Sequence, residues 1–446
     1  MDKRSLNIRG LLILTAIYTA TLFTTAAPTY GQTVHKITLD EALNIAKAQN
    51  HQVHRASVQQ EIIAENIKEK QEQRLPEIDF HTSYARITDL TEFKKGLSDK
   101  AVTTTIPEWA DVSAFGKMPI YNGGEIKYAV KKAEQQNAIG LLKIEKTKHD
   151  IQIQVTATFL GVFKLMELQK IIVENIKEEE DRLREVRAFK KQGTVTGNEV
   201  LRAELQLSDM QLKLLSNQKN IAIGEHELQT LLQLPEDESF EINTTNLLNQ
   251  NLSLDSYETY LTAAQNKEEI RIAKQEEAIG LTERRLAKGN YYPKISLIAS
   301  YGFNYPNYMF FPPNPYIYTL GKVGIEASFS LSNLYKNKTK MHIANKKIAE
   351  QKIATAIAND EIKDQIFKQY TQYLEIMDKL PVTEKAKLQA AENYRIVKLK
   401  YLNQLALITD MIDADNALLQ AKFNTAATRI DALMKHFELR YAAGLL

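Results

Sequence analysis

Two different stretches of this chain recur in the same order, and this internal repeat constrains the fold more than any other feature. The stretch 75–84 returns as 292–301, with proline, isoleucine, serine and tyrosine at matching positions. The stretch 193–207 returns as 404–418, with Glu199 matched by Asp410. Ordered recurrence of two different segments predicts two tandem copies of one structural unit.

Each copy predicts a β-hairpin followed by long helices. A proline, Pro76 or Pro293, ends a helical lead-in and opens a strand in which apolar and polar residues alternate. The returning strands are expected at 111–121 and 321–333, after loops at Thr88–Thr105 and Asn304–Tyr316. One apolar and one polar face is typical of a strand between lipid and a wet lumen.

The helices that follow are long. No proline lies between Pro119 and Pro235, and the last helix carries apolar residues at coiled-coil spacing. Pro381 falls inside the second long helix and predicts a kink there. The acidic run 178–181 is typical of a solvated helix face.

The predicted segments are a signal peptide (1–31), N-terminal helices (32–74), a first β-hairpin (75–122), a first helical hairpin (123–234), an equatorial linker (235–255), helices of the second copy (256–290), a second β-hairpin (291–334) and a second helical hairpin (335–446).

The N-terminus has the layout of a secretory signal peptide. Lys3, Arg4 and Arg9 precede an apolar run from Gly10 to Phe23, and small residues follow. The alternative is a membrane anchor, but a spanning helix needs about 20 apolar residues and this run is shorter. Beyond it we see no apolar stretch approaching that length, so we expect any membrane span to be made of β-strands.

Composition argues against several functions. The chain has no cysteine, which excludes disulfides, thiolate metal sites and a lipid attached to cysteine. Its net charge of +2 comes from the leader, so the mature chain is near neutral and has no excess positive charge to attract nucleic acid. The eight histidines are scattered, and neither a phosphate-binding loop nor a nucleophile motif occurs. We therefore expect no enzymatic activity, no cofactor and no metal site.

Oligomerisation follows from the strand count. Four strands cannot close into a barrel, and open edges are not tolerated in lipid. The strands must therefore join those of other copies.

The chain resembles the TolC-like family of outer-membrane factors over essentially its whole mature length. The residues that carry the resemblance are the strand entries at Pro76 and Pro293, the strand exits at 119–124 and 333–338, and the two hairpin turns with their helices. The resemblance implies a mostly α-helical fold with a transmembrane β part: a homotrimer with a shared twelve-stranded barrel, continuous with a periplasmic coiled-coil barrel.

The same resemblance implies a function. The chain would be the passive exit duct of a tripartite efflux or type I secretion system in the bacterial outer membrane. Its partners would be a periplasmic adaptor, an inner-membrane pump of RND, ABC or MFS type, and outer-membrane lipid. The alternative is a periplasmic coiled-coil adaptor or structural protein without a pore.

The resemblance also points to a gate at the periplasmic mouth. Asp410 and Asp413 match the family's aspartate pair, and Tyr401 stands where a tyrosine holds the entrance closed. The two aspartates share a helix face one turn apart. The alternative is that they only stabilise the helix start, with Thr409 as the N-cap.

The two hairpin turns are the expected docking sites for the adaptor. Gln404 replaces the glycine expected at the second turn, and the basic residue expected near Ala406 is absent. The docking residues are Gly193, Thr194 and Val195 in the first turn and Gln404, Leu405 and Ala406 in the second.

Overall fold

A computed structural model describes residues 35–446, except 236–239, 246, 250–252 and 311. The expected signal peptide, 1–31, lies outside the described residues. The strands are β1 (His35–Ile37), β2 (Glu77–Arg86), β3 (Leu90–Phe93), β4 (Lys100–Thr103), β5 (Glu108–Asn122), β6 (Phe240–Ile242), β7 (Lys294–Tyr305) and β8 (Tyr318–Ser328). The helices are α1 (Leu39–Gln49), α2 (His51–Glu72), α3 (Glu125–Lys191), α4 (Gly197–Leu232), α5 (Tyr257–Ala264), α6 (Glu268–Gly289), α7 (Asn333–Leu402) and α8 (Ile408–Ala442).

The lead-in of each copy is a pair of helices. Thr38 and Glu41 form a capping box at the start of α1, with Thr38 N donating to Glu41 Oε2 at 2.8 Å. The chain is extended at Asn50, whose side-chain oxygen accepts from Gln52 N at 2.8 Å and begins α2. The two short helices are therefore separated by a local cap rather than by a proline.

The long helices dominate the molecule. α3 has 67 residues and α7 has 70, so each extends about 100 Å at 1.5 Å per residue. α7 continues through Pro381. α4 packs antiparallel on α3 and α8 on α7, while α3 also packs on α8. The two helical hairpins therefore contact each other within one chain.

Four antiparallel strands form one sheet in the order β2-β5-β7-β8. The pairing of β5 with β7 joins the hairpin of one copy to the hairpin of the other. Within the predicted first loop, β3 and β4 form an additional small hairpin. The last strand was expected to reach Asn333 but ends at Ser328, because residue 333 already begins α7.

The two faces of this sheet differ in polarity. Strand pairing places Phe80, Ala114, Tyr301 and Gly321 in one row across all four strands. The neighbouring residues along each strand point the other way. The charged residues on that second face are Glu77, Asp79, Asp111, Lys117, Lys294, Lys322 and Glu326. The alternation expected from the sequence is therefore present, with one apolar and one polar face.

The sheet meets the helices at a close backbone contact. Gly123, with φ of +67°, lies between the end of β5 and the start of α3. A Cβ at Gly123 would lie 2.3 Å from the carbonyl oxygen of Gly289, the last residue of α6. Only glycine fits here, since this position combines a left-handed backbone with contact between two main chains.

One described helix is long and apolar enough to cross a membrane by composition alone. It is α3, and 44% of the apolar window is buried within the chain. The expectation that no stretch after residue 31 reaches that length was therefore wrong. Since α3 lies against α4, α6 and α8, its apolar side chains serve packing between helices.

Candidate gate and docking surface at the hairpin tips

The two helical hairpins end in turns of the same geometry. In the turn between α3 and α4, Gly193 has φ of +75° and Thr194 N donates to Phe189 O at 3.1 Å. In the turn between α7 and α8, Gln404 has φ of +62° and Leu405 N donates to Lys400 O at 2.8 Å. Gln404 thus adopts the left-handed conformation that glycine adopts in the first turn.

The expected docking residues divide by exposure. Gly193, Thr194 and Gln404 are exposed, and Leu405 is 77% exposed. The remaining two, Val195 and Ala406, are half-buried against an apolar group that we call the tip cluster. The tip cluster consists of Leu183, Val186, Val200, Ala203, Tyr401, Ile408 and Met411.

Tyr401 lies inside the tip cluster. It is 4% exposed, and its ring packs edge-on against Phe189 with the centroids 6.3 Å apart. Among the described residues its hydroxyl has no hydrogen-bond partner. Burial, with smaller contributions from Glu199 and Glu185, raises the pKa of Tyr401 to about 12. Tyr401 therefore joins the two hairpins as a neutral, buried side chain.

Asp410 and Asp413 lie on the exposed surface of α8, one turn apart. Asp410 Oδ2 accepts a hydrogen bond from Leu407 N at 3.0 Å. The N-cap of α8 is Leu407, so the expectation that Thr409 caps this helix was wrong. Asp410 therefore accepts a hydrogen bond from a backbone N–H at the helix start, while the side chain of Asp413 is exposed to solvent.

A buried ionic cluster lies beside this surface, and the sequence did not indicate it. Glu179 and Arg182 of α3 and Asp415 of α8 are each at most 2% exposed. Arg182 Nη1 donates to both oxygens of Glu179 at 2.6 and 2.8 Å, and its Nη2 lies 3.1 Å from Asp415 Oδ2. The expectation that the acidic run 178–181 is a solvated face was wrong for Glu179, which is fully buried against α8.

The protonation of this cluster follows from its burial. Desolvation and the neighbouring Asp415 raise the pKa of Glu179 to about 8, against the opposing effect of Arg182. Burial opposes the charge of Arg182, but the carboxylates of Asp415 and Glu179 hold its pKa above its ordinary value. At neutral pH Glu179 therefore carries a proton, and Arg182 forms its ion pair with Asp415.

The described part of the chain contains no group of three or more histidine and acidic side chains placed to hold a metal ion.

Comparison with known proteins gives a match to a family over part of the chain, and a fold. The model of the outer membrane efflux protein family matches residues 42–233. No curated protein matches the sequence.

Several solved outer-membrane proteins share the fold. The outer membrane protein VceC from Vibrio cholerae superposes with a TM-score of 0.72 at 14% identity, over 91% of this chain and 96% of that one. The open-state MtrE channel of Neisseria gonorrhoeae superposes with a TM-score of 0.68 at 15% identity, over 91% of this chain and 88% of that one. A membrane protein from Pseudomonas aeruginosa superposes with a TM-score of 0.76 at 11% identity, over 91% of this chain and 92% of that one.

These likenesses bear on the expectations from the sequence. The mostly helical fold with a smaller β part is that of outer-membrane efflux channels. The family match over residues 42–233 and this fold together confirm the resemblance to TolC-like outer-membrane factors.

Proposed function

We propose that this chain is one subunit of a trimeric exit duct in a tripartite efflux or type I secretion system. Cargo would pass passively from a periplasm-spanning pump through the helical tube and the β-barrel to the exterior. The observation that carries the proposal is the four-stranded sheet with two open edges at one end of the long helices.

The open edges call for further copies of the same sheet. On edge strand β2, Ile78, Phe80 and Tyr84 are 72%, 73% and 71% exposed, and on the other edge Val323 is 79% exposed. Unpaired backbone groups and apolar side chains of this kind are stable in lipid only if the sheet closes. Three copies would give the twelve strands that the family resemblance implies.

The helices support the same assembly. α4 exposes Leu201, Leu205 and Leu212, and α7 exposes Ile353 and Phe367, all more than 60%. In α4 these residues are spaced by four and seven, as in a coiled-coil seam. Within one chain α4 and α7 are the outer members of the helical layer, since α3 and α8 pack between them. The apolar stripes would therefore meet between neighbouring copies.

At the periplasmic mouth, three copies of Asp410 and Asp413 would form two stacked carboxylate rings. The exposed position of both side chains supports this, and the hydrogen bond from Leu407 shows that Asp410 also stabilises the helix start. Rings of acidic side chains favour cations in channels. With no basic residue at Ala406, Tyr401 would hold the mouth closed by packing in the tip cluster rather than by an ionic bond.

The adaptor would dock at the exposed part of the two turns. Gly193, Thr194, Gln404 and Leu405 are open to solvent, and Leu405 offers an apolar contact at the tip. The pump behind the adaptor would be of RND, ABC or MFS type. A periplasmic adaptor function for this chain itself is the less favoured alternative, because it leaves the apolar sheet face unexplained.

The assembly is tested by membrane fractionation and by the mass of the purified protein in detergent. We expect the chain in the outer-membrane fraction, as a trimer that resists dissociation in detergent until it is heated. A monomer that stays in solution without detergent would contradict the proposal.

A further inference from the structure

The buried contact between α3 and α8 has a chemistry that the duct as such does not require. We propose that Glu179, Arg182 and Asp415 form a proton-dependent latch that positions the start of α8, with Asp410 and Asp413, against α3. The proposal rests on the proposed function for the role of the two aspartates, but the latch itself is a property of the helix contact.

The geometry ties the latch to the mouth. Asp415 lies two residues after Asp413 on the same continuous helix, so its position fixes theirs within about one turn. Arg182 of α3 bonds Asp415, and Asn175 Nδ2 of α3 donates to the same carboxylate at 3.3 Å. α8 is therefore held to α3 by polar contacts with specific geometry, beside the less directional packing of the tip cluster.

The cluster holds more acid than base. Two carboxyl groups face one guanidinium in a site from which water is excluded. If both carboxyls were charged, a net negative charge would be buried there, which is costly in a medium of low polarity. A proton on Glu179 removes that charge and gives the cluster a hydrogen-bond donor beside the carboxylate of Asp415, one oxygen of which, Oδ1, has no partner among the described residues.

Of the helices packed around the cluster, α7 brings a second base near it, since Lys398 Nζ lies 5.8 Å from the centroid of the Tyr394 ring. Tyr394 of α7 accepts a hydrogen bond from Arg182 Nη2 at 3.2 Å. The pKa of Tyr394 is raised mainly by burial, and the negative charge of Glu178 of α3 adds to this. The charged groups of α4 near this level form pairs on the exposed surface. These pairs are Arg187 with Glu204 and Asp209 with Lys213.

The direction of the pH effect follows from the raised pKa of Glu179. At pH values between the ordinary carboxyl pKa and about 8, Glu179 is protonated in the latched state and ionised in a state where it is exposed to water. Over this range the latched state therefore binds one proton more. Latching is therefore complete in acid and is lost as pH rises to about 8. Between these two pKa values the ratio of latched to unlatched chains should fall about tenfold per pH unit, and above about 8 it should fall no further.

The repeat shows that the latch belongs to one kind of helix contact. The positions one repeat later than Glu179 and Arg182 are Ala390 and Asn393 in α7, and the position one repeat before Asp415 is Glu204 in α4. The corresponding contact between α7 and α4 of a neighbouring copy therefore lacks the arginine and one of the acids. The latch would act inside each chain and leave the contacts between copies free to move.

The test measures the distance between α3 and α8 in the intact detergent-solubilised protein as pH is raised from 6 to 10. The chain has no cysteine, so spin labels at Lys177→Cys on α3 and Ala417→Cys on α8, both exposed, report this contact without background. The variants are Glu179→Gln, which imitates the protonated acid, and the matched control Glu180→Gln on the exposed side of the same helix.

We expect the labelled parent and the Glu180→Gln control to lose the short distance as pH rises from 6 to about 8, with no further loss above it, while Glu179→Gln keeps the short distance to pH 10. Identical behaviour of Glu179→Gln and the parent, or no change in the parent, would overturn the latch. Conductance recorded over the same pH range separates the two proposals. If the distance changes as expected and conductance does not, the latch stands and the role of the mouth as a gate falls.

Discussion

Substitution of Gly123 by alanine should disrupt the junction between the sheet and the helical hairpins. A Cβ at this position would lie 2.3 Å from Gly289 O and 3.1 Å from Gly289 C. The two backbones would have to separate by about 1 Å to restore an ordinary contact. Because β5 and α3 on one side and α6 and β7 on the other meet here, the separation would be transmitted to the sheet.

The expected cost has two parts. A left-handed backbone costs an L-residue roughly 1–2 kcal/mol, and φ at Gly123 is +67°. Overpacking in a well-packed site costs typically about 1–3 kcal/mol more. The sum, roughly 2–5 kcal/mol per chain, is large beside the marginal stability of folded proteins, and in a trimer it applies three times.

The assay is the heating temperature at which the purified oligomer dissociates in detergent, together with the yield in the outer-membrane fraction. Gly161→Ala is the matched control: it lies in the interior of α3 with nothing within 4 Å of its added Cβ. This control should be neutral or stabilising by about 0.5–1 kcal/mol. Oligomers of Gly123→Ala as abundant and heat-resistant as those of Gly161→Ala would refute the reasoning.

Three further tests concern the tips and the topology. Gln404→Gly should relieve the left-handed strain of the second turn and raise the dissociation temperature slightly, with a gain of about 0.5–1 kcal/mol; a loss of stability would contradict this. The double change Asp410→Ala and Asp413→Ala should weaken cation preference and block by multivalent cations together while oligomers survive; a change in stability alone would favour helix capping as their only role. Lys100→Cys should be labelled on intact cells and Gln192→Cys should not; the reverse pattern would invert the orientation.

Local alternation predicted the strands well, because the faces of a strand follow directly from its sequence. Ile78, Phe80 and Tyr84 lie on one face, as the sequence predicts. Strand ends were harder to place. The alternation at Val323 and Ile325 continues to Leu331, but the strand ends at Ser328 because the turn into α7 follows.

Burial of charge was the part that sequence could not give. Glu179 lies in a run of four acids, and such a run is normally solvated. Its burial depends on Asp415, which is far away in the chain and is brought to α3 only by the packing of α8. The same limit applies to Thr409: whether it or Leu407 is the N-cap depends on where α8 begins, which the residue type alone does not decide.

The most direct test of the account is the conductance of the purified wild-type oligomer in a planar bilayer. The account predicts discrete single-channel steps, a preference for cations, and block by multivalent cations from the side of the hairpin tips. A correctly folded protein that inserts no channels, or channels indifferent to cation valence on both sides, would contradict a duct with an acidic mouth.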